Sequence, residues 1–534
     1  MRRKGSITVF ASLSFMLVAQ LIFTFLEGAH CLEVSKGTQM NTGSVLESMF
    51  ADYCTPLWEQ YRILGVTAEE SGGNFSFNQR EANLRNLTKE NLGSGSHLLH
   101  ADMTDVEFTS YLLMTDQKGK VFQKAACAYV KENMGYETAK TLYSSFESVK
   151  NIKKGYDGSD KSIENAKSAL KESSREGKQT QTGAVLMAEP GTGSPMVYRK
   201  TPIQTVKRNT YTKKVENVLQ TAQNGQSEHV SSGGREKNIL DLVAEAKKKG
   251  VLTFVIPKGT ELSKGSLPLS KTVSHRSLKK GTGDLSSGSD WYQKVLFNQY
   301  LLNYLTCYTE KQNDRALNYE LEYLLAGKSK DSDNLKAAVK ELLAMREALN
   351  MASISAMPDK QEEAGVLALT IAGATANPLV VESVKYGILA SWAFVESVLD
   401  LRTLLKGGNI AMIKSEADWT SHLNRLPELL TEWSCARENP QGMGYKSYLG
   451  LLLYFHSGQK LSMRAMDVEE AAIRKTAGYE GFCMDHLVCE TKIRACYDYQ
   501  PVFLGFVNLL GNKTSRFRVN KEAWYSFFER KGGV

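Results

Sequence analysis

No C-x-x-C, no H-E-x-x-H and no G-x-S-x-G occurs anywhere in the chain. The first absence removes zinc ribbons and thioredoxin-type redox sites, the second a zincin-type metal helix, and the third an α/β-hydrolase nucleophile elbow. The nearest phosphate-loop match, Gly327-Lys328-Ser329, has Glu322 where that motif requires its first glycine, and no loop precedes it. The eight histidines are scattered, and His97 and His100, which lie close together, have no acidic helix beside them to complete a metal site. The eight cysteines (31, 54, 127, 307, 435, 483, 489 and 496) are an even number but too sparse for a disulfide framework. The expectation is mostly buried free thiols with one or two bridges. No catalytic, cofactor-binding or metal-binding residue is therefore assigned, and no cofactor is expected. A hydrophobic content of 42% and a charged content of 23% exclude wholesale disorder.

Charge is also missing from a long run near the N-terminus, and this absence is informative. Residues 6–26, SITVFASLSFMLVAQLIFTFL, carry none over 21 positions. About 20 apolar residues cross the roughly 30 Å of bilayer hydrocarbon as a helix, so the run is long enough to span. Arg2, Arg3 and Lys4 precede it and Glu27 follows, which by the positive-inside bias puts residues 1–5 in the cytoplasm and the bulk of the chain outside. A cleaved signal would have a shorter apolar core and a small-x-small exit, whereas the exit here reads Leu26-Glu27-Gly28-Ala29-His30-Cys31. His30 also spoils a lipoprotein site at Cys31.

Beyond the span, apolar residues at 32, 40, 45, 49, 53 and 57 predict a stalk helix over 27–66. A small α+β lobe follows over 67–149, with a strand near 106–111 and helices over 122–134 and 137–149. Residues 150–290 hold 25 Lys+Arg against 14 Asp+Glu, a local net of +11 against +8 for the whole chain, so the remainder is slightly acidic. Rich in Gly, Ser and Thr, the segment 150–289 reads as a flexible basic connector. One ordered piece stands out near 238–257, a helix followed by a strand over 251–256. Such charge suits anionic cell-wall polymer or lipid head groups. Residues 290–534 form the main helical α+β domain. It begins with a helix over 291–308 and a strand over 317–323, read from strict alternation in LNYELEY. Asp331-Ser332-Asp333-Asn334 then caps a helix. The uncharged segment 366–381 is a buried helix or a second span; 380–405, 445–455 and 461–474 are helices, and 487–499 alternates as a strand. The fold class is α+β and predominantly helical. A transmembrane helix continues into a stalk, and the extracytoplasmic head is interrupted by the connector.

The most catalytic-looking cluster is Glu396, Asp400 and Arg402. Glu396 and Asp400 are four apart, so they share a helix face and have the spacing to perturb each other or hold a cation. An internal ion-pair network is the better reading. Arg464 with Asp467, Glu469 and Glu470 calls for partners across the core in the same way.

The opening KGSITVFASLSFMLVAQLIFTFLEGAH resembles TadE/TadG-like proteins of tight-adherence (Flp-type) pilus systems. More closely, it is similar to an uncharacterised bacterial membrane family with a G-S-I-T-V-F anchor and a large extracytoplasmic region. LNYELEYLLAGK at 317–328, NLKAAVKELLAMREALN at 334–350, and the segments 390–408 and 445–474 extend the likeness. The resemblance implies a non-enzymatic, single-pass component of a pilus or related surface apparatus, partnered by the bilayer and other assembly proteins and not by nucleic acid. The runner-up is a cell-surface hydrolase acting on wall polymer through Glu396 and Asp400. Pilin-type processing after Gly5 would put Phe10, not an acid, at the fifth mature position, so the implied anchor is uncut.

Overall fold

A computed structural model describes residues 4–70, 73–93, 99, 101–156, 158–176, 185–187, 196–198, 239–250, 252–257, 259–285, 290–312, 315–375, 377–504 and 516–528. His97, His100 and much of the basic connector, including 199–238, lie outside them. Helix makes up 63% and strand 11%, so the class is α+β and mostly helical.

The first helix runs unbroken over Lys4–Ala51, 48 residues or about 72 Å at 1.5 Å per residue. Its two halves have opposite surroundings. Ile7, Phe10, Phe15, Met16 and Leu17 are all more than 60% exposed. From Glu27 onward one face is buried: Glu27, His30, Val34, Thr38, Asn41, Thr42, Val45, Met49 and Phe50 recur at helical spacing. Among the described residues this is the one helix long and apolar enough to cross a membrane.

The stalk differs from expectation in two ways. The helix stops at Ala51, and a new one, Thr55–Tyr61, starts with Pro56 in its first turn, where proline's missing N–H costs nothing. Leu32 and Met40, assigned to the buried stripe, are 67% and 76% exposed. The true buried face is half polar because the surface it meets offers partners. Thr42 Oγ1 lies 2.9 Å from the Tyr497 hydroxyl, and Asn41 Nδ2 donates to the same oxygen at 3.2 Å.

That surface is an antiparallel sheet centred on Leu487–Tyr499. Ala101–Leu113 pairs along one edge, while Val66–Thr67 and Phe517–Ser526 follow one another along the other. Phe108, Ile493 and Ala523 are in register. The stalk and the helix Asn78–Gly93 pack on the sheet, joining Val34, Val45, Leu46 and Phe50 to Val106, Ile493, Ala495 and Tyr497 in one apolar core. Because the central strand comes from the C-terminal region, the 67–149 lobe and the 290–534 domain share this sheet.

The larger core is helical and surrounds Pro378–Leu405, packed by Asp331–Ser355, Pro358–Ala372 and Ser159–Glu176. Much of the segment read as a connector belongs to it. Ile163, Ala166, Leu240, Val243, Val255, Leu267 and Val273 are buried, and Ile239–Lys249 forms the expected helix. The 251–256 strand is instead a short helix, Leu252–Val255; residue 251 lies outside the described set. A two-stranded ribbon, Val185–Met187 with Met196–Tyr198, lies within the same segment.

The 317–323 strand is overturned as well. Glu320–Ala326 is a helix, and Glu320 and Glu322, the polar half of the alternation, are fully buried. Alternation predicts a strand only if its polar residues face water, and here backbone N–H groups take that place. The 366–381 segment is two helices. Pro358–Ala372 ends in a 3₁₀ turn, and Asn377 caps Pro378–Leu405 by accepting the Leu379 N–H at 3.0 Å. All eight cysteines are free thiols.

Candidate functional site

Pro378–Leu405 starts with proline after its Asn377 cap and is buried on every side from Gly387 onward. A helix enclosed in this way must satisfy its charges internally. Glu396 and Asp400 share a face, as their spacing requires, and each is 0% exposed. Lys414 Nζ lies 2.6 Å from Asp400 Oδ1 and also binds Glu396. Arg346 donates to Asp400 Oδ2 at 3.0 and 2.8 Å, and Asn350 Nδ2 to the same oxygen at 2.8 Å. Glu396 accepts the Thr420 and Ser421 N–H groups at 3.0 and 2.8 Å. Burial pushes the Asp400 carboxyl up, but Arg346 and then Lys414 pull it below the ordinary range. Two carboxylates thus meet two cations in a dry, neutral cluster with no oxygen presented to solvent. Arg402 is not part of it. Its guanidinium caps the carbonyls of Phe254, Leu429, Glu432 and Ser434 at 2.7–3.0 Å.

The second acidic group, on Gly458–Ile473, finds its partners across the core. Asp467 accepts the Ser274 N–H and the Tyr323 hydroxyl, both at 2.8 Å. Glu470 pairs with Arg276 at 2.7 Å and Arg474 at 2.8 Å. Arg464 donates to the carbonyls of Leu324 and Leu325. Glu469, Glu320 and Glu322 are less compensated, each keeping one buried oxygen without a hydrogen-bond partner. Glu322 accepts the Tyr308 N–H and the Tyr445 hydroxyl, both at 2.9 Å, and burial pushes its carboxyl up to about 7. These are internal groups.

Two further features of the described residues offer polar groups. A cavity of about 700 Å³ opens between Tyr136–Lys154, Trp291–Tyr304 and Tyr445–Phe455. It is lined by the amides of Asn298, Gln299 and Asn303, with the Glu310–Lys446 ion pair beside them, and by no histidine or cysteine. At one corner of the sheet, Glu69, Cys483 and His486 bring a carboxylate oxygen, a sulfur and an imidazole nitrogen within 4.8 Å of one another. Neither C-x-x-C nor H-E-x-x-H describes this trio. Its local signal was Cys483-x-x-His486, and its third member is 417 residues from His486.

A family model described as a family of unknown function (DUF5702) matches residues 230–499. The chain belongs to this family. The DUF5702 segment begins just before Ile239–Lys249 and ends with the last residue of the central strand, so it contains the Glu396–Asp400 cluster, Cys483 and His486. The anchor, Glu69 and the long flanking strands of the sheet lie outside it. No curated protein and no solved structure matched the chain.

Proposed function

We propose that this protein is a non-enzymatic assembly component of a bacterial surface apparatus. One N-terminal span holds it, with its stub in the cytoplasm and its head outside. The observation that carries this reading is the continuity of a single helix through two environments. Its exposed apolar side chains from Ile7 to Leu26 suit lipid, and its next turns are seated on the sheet, so the head is joined to the anchor without a flexible linker. Glu27, where the apolar run ends, accepts the N–H groups of Phe503 and Leu504 at 2.8 and 3.0 Å and ties the C-terminal region to the same point. A pilus of the tight-adherence kind is the favoured setting, on the resemblance of the opening sequence. The partners are then the bilayer and neighbouring membrane proteins, with anionic wall polymer met through basic residues of 150–289. The hydrolase alternative draws no support from Glu396 and Asp400, which are buried and ion-paired.

A photo-crosslinker at Leu32 or Met40, apolar positions exposed on the stalk's outer face, is expected to capture membrane-bound partners. The full-length protein is expected to stay with membranes in carbonate and to lose its head to protease added outside the cell. Release by carbonate, or a head that survives external protease in permeable-walled cells, would overturn the reading.

A further inference from the structure

We infer that Glu69, Cys483 and His486 form a zinc-binding site that pins the N-terminal edge of the sheet to its C-terminal strand. Local geometry brings the three donors together. Cys483 flanks and His486 closes a 3₁₀ turn, Met484–His486, whose three-residue period puts positions i and i+3 on one side. The His486 N–H donates to the Cys483 carbonyl at 3.1 Å and fixes that turn. Glu69 arrives from the other end of the chain. Val66 and Thr67 pair with Val488 and Leu487, and the Ala68 N–H donates to the His486 carbonyl at 2.9 Å, leaving Glu69 beside the turn. Glu69 Oε1 and His486 Nδ1 are then 2.8 Å apart. All three donors stand on hydrogen-bonded backbone, so the site is preorganised.

The donor set favours zinc over the alkaline-earth ions. Thiolate, imidazole and carboxylate together are zinc's ligand palette; calcium and magnesium take oxygen alone. Three protein ligands leave one tetrahedral position, and Glu69 at 22% side-chain exposure and the half-buried Cys483 leave room there for water. The surroundings are electrically balanced. Arg474 Nη2 lies 3.3 Å from Cys483 Sγ and is held by Glu470 at 2.8 Å. Arg276 lies between Glu470 and Asp485. Binding displaces the thiol proton, while the neutral imidazole of His486 presents Nδ1 to the metal and carries its proton on Nε2, so that thiolate and carboxylate are the two anionic ligands for a dication.

The test uses the full-length chain in detergent. Elemental analysis and competition with a chromogenic chelator are expected to give one zinc per chain, and cobalt substitution an intense near-ultraviolet thiolate-to-metal band. Cys483→Ser should abolish that band, and Glu69→Gln and His486→Gln should each weaken binding at least tenfold, on the order of a supporting-ligand loss or more. Cys435→Ser, remote from the trio, should change neither. Wild-type protein that binds no stoichiometric zinc, or whose cobalt spectrum lacks the thiolate band, overturns the inference whether or not the variants fold. So does zinc binding that survives in folded Cys483→Ser. None of these readouts depends on the protein's role at the surface.

Discussion

Asp400 shows why a catalytic-looking spacing need not be catalytic. Its oxygens are shared among Arg346, Asn350 and Lys414, and every member of the cluster is enclosed. Asp400→Asn would leave two cations facing one carboxylate in a dry core, at a cost of about 3–5 kcal/mol. That cost should appear as a lower urea midpoint. Replacing the pair together, Arg346→Met with Asp400→Leu, should cost less than the two single changes summed. Glu322 gives a second test through pH. Its folded pKa of about 7 lies above the ordinary 4.5, so the folded state holds this proton more tightly than the unfolded one. Stability from this group is full below pH 4.5 and falls as pH rises through 7, by up to about 3 kcal/mol. Glu322→Gln keeps an acceptor for Tyr308 and Tyr445, so it should gain stability over wild type at pH 8 and not at pH 4.5, as measured by thermal unfolding at the two values.

At the scale of elements, Ser159–Glu176 lies against Pro378–Leu405 at a position only glycine allows. A Cβ on Gly387 would sit 2.6 Å from the Ala166 Cβ. Gly387→Val should part the two helices and cost about 1–3 kcal/mol of head stability, read by thermal melting, while membrane retention stays unchanged. This contact also marks where the sequence could be read and where it could not. The strand Leu487–Tyr499 is legible to the residue because its alternation has one mostly buried face, and the helix Tyr445–Phe455 because it is one apolar run, buried throughout from Tyr448 to Tyr454. The stretch 317–323 misled because its glutamates are buried and answered by backbone N–H groups of a loop. The stalk face was misassigned because Asn41 and Thr42 are buried through the Tyr497 hydroxyl, a partner 455 residues away that no local pattern reveals. Basic composition over 150–289 hid helices whose apolar residues are few but well spaced. The Glu396–Asp400 pairing was readable from spacing alone, whereas Arg346 and Lys414 were not, because they come from other elements.

At the scale of the molecule, the anchor and the sheet form one mechanical unit, and the sheet joins parts of the chain that are remote in sequence. Thr109 donates its hydroxyl to the Lys492 carbonyl across 383 residues. The stalk needs the same strand, through Tyr497. A product ending before residue 487 should therefore lose the seat of its own stalk as well as the sheet. Pulse-chase labelling is expected to show it degraded far faster than the full chain, although it keeps the helices packed on Pro378–Leu405.

That long-range pairing also sets a timetable for biogenesis. The strand Ala101–Leu113 is synthesised long before its partner and then waits, both edges bare, while nearly four hundred further residues follow. Unpaired strand edges invite the wrong neighbour, and pairing over such distances is slow. The early segment is thus exposed to aggregation and proteolysis until the last tenth of the polypeptide arrives, and the head closes only when its own tail completes it.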